Sequence, residues 1–161
     1  MTDFNSSAAT YFEDISFDEV QVSSTYSFRR DEVIAFARQW DPLPVHLDDE
    51  AARAAGFEGI TASGTHMLAV KQRLLHDFNL GVSVITSFGS DDTRYHAPAR
   101  PGDSVRLHFR WVDKRLSKSR PSVGIARHFS ELRRTDGLLL LSITDTIMIR
   151  CREAVGAEKA D

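Results

Sequence analysis

Two prolines place the strongest constraint on this chain. In the run Trp40-Asp41-Pro42-Leu43-Pro44-Val45-His46, each proline fixes its own φ and drives the residue before it towards extended geometry, so regular helix is excluded there. Asp41 and His46 are therefore presented from a stiff loop. Helix signals crowd in behind them. Asp48 can cap a short helix through Ala55 that Gly56 stops, and Ser63-Gly64 can open a second, longer helix. An acid, a base and a helix start thus fall within residues 40–68, and the rest of the chain reads as scaffold for them.

The scaffold begins with apolar residues at mostly even positions from 20 to 28, Val20, Val22, Tyr26 and Phe28, which predicts one half-buried strand. Asp31 and Glu32 favour a helix start, and Val33, Ile34, Ala37 and Trp40 follow at helical spacing into Asp41. The long helix is expected over about 64–78, with Met67, Leu68, Leu74, Leu75 and Phe78 facing a sheet and Lys71, Arg73 and Asp77 on the opposite face. Strand character is weak through 84–95. Residues 104–113 alternate cleanly, Val105, Leu107, Phe109 and Trp111 inward and Ser104, Arg106, His108 and Arg110 outward. A basic loop over 114–121 and the turn signal Asp136-Gly137 then join strands over 123–133 and 138–150. Asp145 interrupts the apolar face of the last strand and needs a partner.

A strand, helices and then a run of antiparallel strands is an α+β plan with helices on one face of the sheet. The length of 161 residues fits one domain able to bury a core without disulfides or metals. The expected organisation is a tail over 1–10, a domain over 11–152 and a tail over 153–161. A net charge of -3 and a pI near 6.1 argue against a nucleic-acid surface as the main function. The single cysteine, Cys151, forms no internal disulfide, no signal-peptide pattern precedes residue 10, and no apolar run is long enough to span a membrane, so a reducing cytoplasm is expected. His66, His76, His96, His108 and His128 show no metal-ligand spacing, and no phosphate loop or nucleophile elbow is present, so neither a metal nor a cofactor is expected.

Asp41, His46, Asp48, Gly56-Phe57, Ile60 and Ser63-Gly64 resemble, in order and in closely similar spacing, the catalytic segment of the MaoC-like dehydratases, which include the (R)-specific enoyl-CoA hydratases. Tyr11-Phe12-Glu13-Asp14 is similar to that family's opening, and Arg100-Pro101-Gly102-Asp103 to its turn before a long strand. One position departs: the hydratase pattern has Asn two residues after the Asp, where this chain has Leu43. The resemblance implies a single hot-dog fold, an antiparallel sheet wrapped around a central helix, and a homodimer. It also implies that Asp41 and His46 grip one water for syn addition across the double bond of an enoyl thioester, with the Gly64 N–H receiving charge on the thioester oxygen.

Blander readings stand beside the catalytic one. Asp41 and His46 could satisfy loop backbone groups, Asp48 and Ser63 could serve only as caps, and the basic loop with Arg115 and Lys118 could be a solvated hairpin instead of a site for coenzyme A phosphates. His66, close to Gly64, is a candidate pocket residue, as are Leu43 and Ser63. Three functions follow: a hydro-lyase on acyl-CoA or an acyl-carrier thioester, a hot-dog thioesterase, or a silent acyl-thioester binding protein. In each, the acyl thioester is substrate or ligand and not cofactor.

Overall fold

The computed structural model describes residues 9–81 and 83–152. In chain order the elements are β1 Gln21–Val22, β2 Tyr26–Ser27, α1 Arg30–Trp40, α2 Asp49–Ala54, α3 Gly64–Leu75, β3 Val84–Tyr95, β4 Ser104–Leu116, β5 Val123–Arg134 and β6 Leu139–Arg150. The strands form one antiparallel sheet in the order β1-β4-β5-β6-β3, with β2 also paired to β4. α3 packs against it through Met67, Val70 and Leu74, which share a core with Leu107, Phe109, Leu132 and Leu141. This is the α+β plan expected, a sheet laid on a central helix.

β4 keeps the alternation read from its sequence: Val105, Leu107, Phe109 and Trp111 are buried, while Arg106 and Arg110 are exposed. It also runs on to Leu116, past a register shift between Trp111 and Asp113. Arg115 therefore sits on a strand and not in the basic loop. Lys114 donates to the carbonyls of Phe12 and Ile15 at 3.2 and 2.9 Å, pinning the short 3-10 turn Phe12–Asp14.

The single strand expected over 20–28 is two short pieces. Four steps from Val22 to Tyr26 face three from His108 to Val105, so the edge carries one extra residue, and inside and outside exchange across it. Val20 and Val22 point to solvent, whereas Phe28 is buried. Ser23 fills the break: its N–H donates to the Leu107 carbonyl and its Oγ accepts from the Leu107 N–H, both at 2.9 Å. β3, weak in sequence, is a full edge strand with three register shifts against β6. Those shifts break any two-residue period.

The tail expectation for 1–8 and 153–161 lies outside the described residues. Ala9 is buried, and the Thr10 N–H donates to the Asn79 carbonyl at 3.1 Å, so ordered chain starts before Tyr11.

Lys71 corrects the helix-face reading. It is only 4% exposed and pairs through Nζ with Asp145 Oδ2, on β6. Asp145 Oδ1 accepts from Ser90 Oγ at 2.6 Å, and His128 Nε2 stands 3.7 Å from Asp145 Oδ2. Burial holds the His128 imidazole far below its usual value, at about 4, with Asp145 pulling it up and Lys71 pushing it down. An unfolded chain therefore binds this proton first as pH falls below 6.5, and stability drops from there towards pH 4, in total by an amount on the order of a few kcal/mol. Denaturant melts at pH 7 and 4.5 should show a larger acid loss in the wild type than in His128→Gln, which cannot protonate. Parallel losses would assign the acid sensitivity to other groups.

Candidate active site

The loop between α1 and α2 is held by its own backbone. The Asp41 N–H closes α1 on the Ala37 carbonyl at 2.9 Å, and a 3-10 turn, Pro44–His46, follows with its N–H to C=O bonds made to Leu43 and Pro44. Asp48 caps α2 by accepting the Ala51 N–H at 2.8 Å, as its sequence position suggests. Asp49 then accepts the Ile60 N–H at 3.0 Å and pairs with Arg30, which ties residue 60 back onto α2. The chain continues through Thr61 and Ala62, outside helix and strand, into Ser63, the extended cap of α3.

This routing fixes the histidine. His46 Nδ1 lies 2.8 Å from the Thr61 carbonyl. A carbonyl only accepts, so Nδ1 carries the proton, and Nε2 keeps its lone pair when the ring is neutral. Nε2 stands 3.7 Å from Asp41 Oδ2, too far for a direct hydrogen bond, so the two atoms face each other unbonded. The histidine side chain is 11% exposed and the carboxylate 29%, so the pair is partly sheltered yet reachable.

Thr61 also brings the pair near the start of α3. Ser63 Oγ accepts the His66 N–H at 3.1 Å, and the helical ladder opens with Met67 N–H to the Ser63 carbonyl at 3.1 Å. Gly64, the first residue of α3, thus has an N–H with no acceptor inside the helix. Tyr95 covers this position: a Cβ built on Gly64 would lie 2.8 Å from Tyr95 Cζ and 3.0 Å from its hydroxyl oxygen. Tyr95 carried no sequence signal, because β3 is irregular. Its pKa is raised by burial, so the hydroxyl stays a donor at neutral pH.

Of the other sequence candidates, Ser63 is buried as the N-cap. His66 lies in a ring stack, parallel to Phe36 at 4.4 Å and edge-on to Phe28, and burial lowers its pKa. Leu43 is 54% exposed and stands outside the buried core. Arg115 and Lys118 are placed elsewhere. Tyr95 is level with Leu141, Leu132 and Leu107 across the sheet. Arg115 lies eight residues further along β4, about 26 Å at ~3.3 Å per residue. Within one chain they therefore do not join Asp41, His46 and Gly64. No group of three or more His, Cys, Asp or Glu able to hold a metal occurs among the described residues.

The MaoC-like domain description matches residues 12–130, spanning the loop, α3 and the first strands of the sheet. The chain belongs to this family. A MaoC-like dehydratase from Rhodospirillum rubrum is 30% identical over 89% of this chain and 99% of its own, with a TM-score of 0.82. An R-hydratase from Pseudomonas aeruginosa shares the fold at 18% identity, 88% and 86% coverage and a TM-score of 0.71. A Bacillus subtilis protein without an assigned function, YdeM, is 28% identical over 62% of this chain and 72% of its own. The MaoC-like members adopt the hot-dog fold, and the sheet and central helix described above are that fold. No helix among the described residues is long and apolar enough to cross a membrane.

Proposed function

We propose that this protein is an acyl-thioester hydro-lyase that hydrates a 2-enoyl thioester reversibly, and that Asp41 and His46 handle the water. The observation that carries this reading is the Nδ1–H bond of His46 to Thr61, which leaves Nε2 as a base facing Asp41 Oδ2 across 3.7 Å. Nε2 takes one proton from the held water as its oxygen bonds to the β-carbon. The double-bond electrons move through the α-carbon onto the thioester oxygen, and the Gly64 N–H, which has no acceptor inside the helix, stabilises the charge that develops there. The imidazolium, on the same face, returns a proton to the α-carbon as the carbonyl re-forms, so the addition is syn. Each such proton transfer contributes roughly 10²–10⁴ in rate. The Tyr95 hydroxyl over Gly64 supplies a second donor near that oxygen. The R-hydratase and the dehydratase among the related structures support the same class of reaction.

Purified protein mixed with an enoyl-CoA should bleach the ultraviolet absorbance of the conjugated thioester without releasing free thiol. Thiol release would instead make the protein a thioesterase, and binding without either change would make it a silent carrier of acyl thioesters.

Gly64→Ala tests the helix-start donor together with the Tyr95 hydroxyl above it. The new methyl would meet the outer part of the Tyr95 ring, which is half exposed and has to shift outward, and it would narrow the approach to the N–H. Hydration should fall by roughly 10²-fold while the melting temperature stays close to that of the wild type. Unchanged hydration would remove Gly64 from the site.

The active unit in this reading is a homodimer. β3 pairs only with β6 among the described strands, and it exposes Ile85, Phe88 and Tyr95 along an open edge. Such an edge is a template for another strand, and a second copy placed there closes it. Light scattering at micromolar concentration should give twice the chain mass, and a monomer mass would contradict this.

A further inference from the structure

A cavity of about 200 Å³ opens between the C-terminal half of α3 and strands β3, β5 and β6, away from the Asp41–His46 loop. Leu75, Leu80, Val84 and Ile147 form an apolar wall, and Lys71, His128 and Asp145 converge in the other. Packing alone does not call for this wall, because well-packed apolar residues in place of a buried ion pair are often neutral or stabilising. The charged groups also keep bonding capacity. Lys71 Nζ has three donors and gives one to Asp145 Oδ2, and no other hydrogen-bond acceptor meets it among the described residues.

Charge and position narrow what could use that capacity. Lys71 and Asp145 cancel, and His128 is held neutral by burial, so the wall has no surplus charge with which to hold an anion. An uncharged oxygen suits the remaining Lys71 donors. The volume is below the ~300–1,000 Å³ of whole-ligand pockets, so the cavity fits one end of a molecule. Lys71 lies seven residues beyond Gly64 on the same face of α3, about 10 Å along the axis. The sheet gives a similar span: Asp145 is level with His128 and Trp111, four residues along β4 from the level of Tyr95, or about 13 Å. A medium-length acyl group anchored at Gly64 covers such a distance.

We propose that this cavity receives the far end of the acyl chain, and that Lys71, Asp145 and His128 select there for an uncharged oxygen function, a hydroxyl or keto group remote from the thioester. The acyl assignment rests on the hydro-lyase reading; the preference of the cavity for a neutral oxygen does not. Hexanol added to the wild-type protein should shift the His128 imidazole NMR signals, and hexanoate should not. In Lys71→Met/Asp145→Leu, which removes the pair together, the hexanol effect should vanish. A His128 signal unmoved by hexanol, or moved more by hexanoate, overturns the proposal even if the double variant fails to fold.

Kinetics then separate the two readings. Between enoyl-CoAs of equal length with and without an ω-hydroxyl, wild-type kcat/KM should favour the hydroxylated one by about 10-fold or more, since a site built to bond an oxygen rejects its absence. Equal rates on the two would overturn this inference and leave the hydro-lyase reading standing. No hydration of either, with hexanol still bound, would overturn the hydro-lyase reading and the acyl assignment while leaving a neutral-ligand cavity.

Discussion

Asp41→Asn and His46→Gln should each slow enoyl-thioester hydration by about 10²–10⁴-fold, and the double variant should be little worse than the poorer single one. Asparagine keeps the shape of Asp41 but carries no charge to polarise the shared water. Glutamine at His46 retains an amide to meet the Thr61 carbonyl and offers no base. Both groups act on one water, so removing the second has little left to remove, as with other residues that work as a unit. Asp41 is partly exposed and its side chain makes no hydrogen bond among the described residues, standing 3.7 Å from His46, so the stability of Asp41→Asn should stay within about 0.5 kcal/mol of wild type. Rates that multiply across the two substitutions would mean that the side chains act in separate steps. A loss of activity matched by a loss of folded protein would return Asp41 to a loop-stabilising role.

The largest effect on stability belongs to the opposite end of α3. Lys71→Met leaves Asp145 buried with a serine hydroxyl and a neutral histidine as its remaining neighbours. An uncompensated buried charge of this kind costs about 3–5 kcal/mol. Adding Asp145→Leu should recover most of that loss, because both charges are then gone and apolar atoms fill the space. Denaturant melts of the two singles and the double form the cycle. A Lys71→Met protein as stable as wild type would show that the cluster is solvated, and a double no better than the single would show that the cost lies in packing around α3.

This pair also marks what the sequence could and could not disclose. Met67, Lys71, Leu74 and Phe78 follow one helical stripe, and the apolar members of that stripe were legible. The charge of Lys71 points it to solvent, although its spacing places it inside. Asp145 broke an apolar strand face in the same way, and each charge was the missing partner of the other. Two isolated violations of an apolar pattern are more informative together than apart.

β4 was readable because its period is unbroken from Ser104 to Trp111. β1 and β2 look like one strand in the sequence because the extra residue at Ser23–Thr25 leaves composition unchanged and alters only which side faces the core. Tyr95 stayed hidden for a related reason, since three register shifts and exposure on both faces erase the pattern of β3. The loop of Asp41 and His46 was legible through its prolines, which fix backbone independently of distant contacts. The separation of Arg115 and Lys118 from that loop was not, because it depends on which end of the sheet the β4–β5 hairpin occupies.

The most direct test of the account is hydration of an enoyl-CoA in deuterium oxide, with the product examined by mass spectrometry and NMR. The Asp41–His46 mechanism predicts a 3-hydroxyacyl thioester carrying one deuterium at the α-carbon, added on the same face as the hydroxyl, and no such product from Asp41→Asn on the same timescale. Intact enoyl thioester from the wild-type protein, or free acid with no label at the α-carbon, would contradict it.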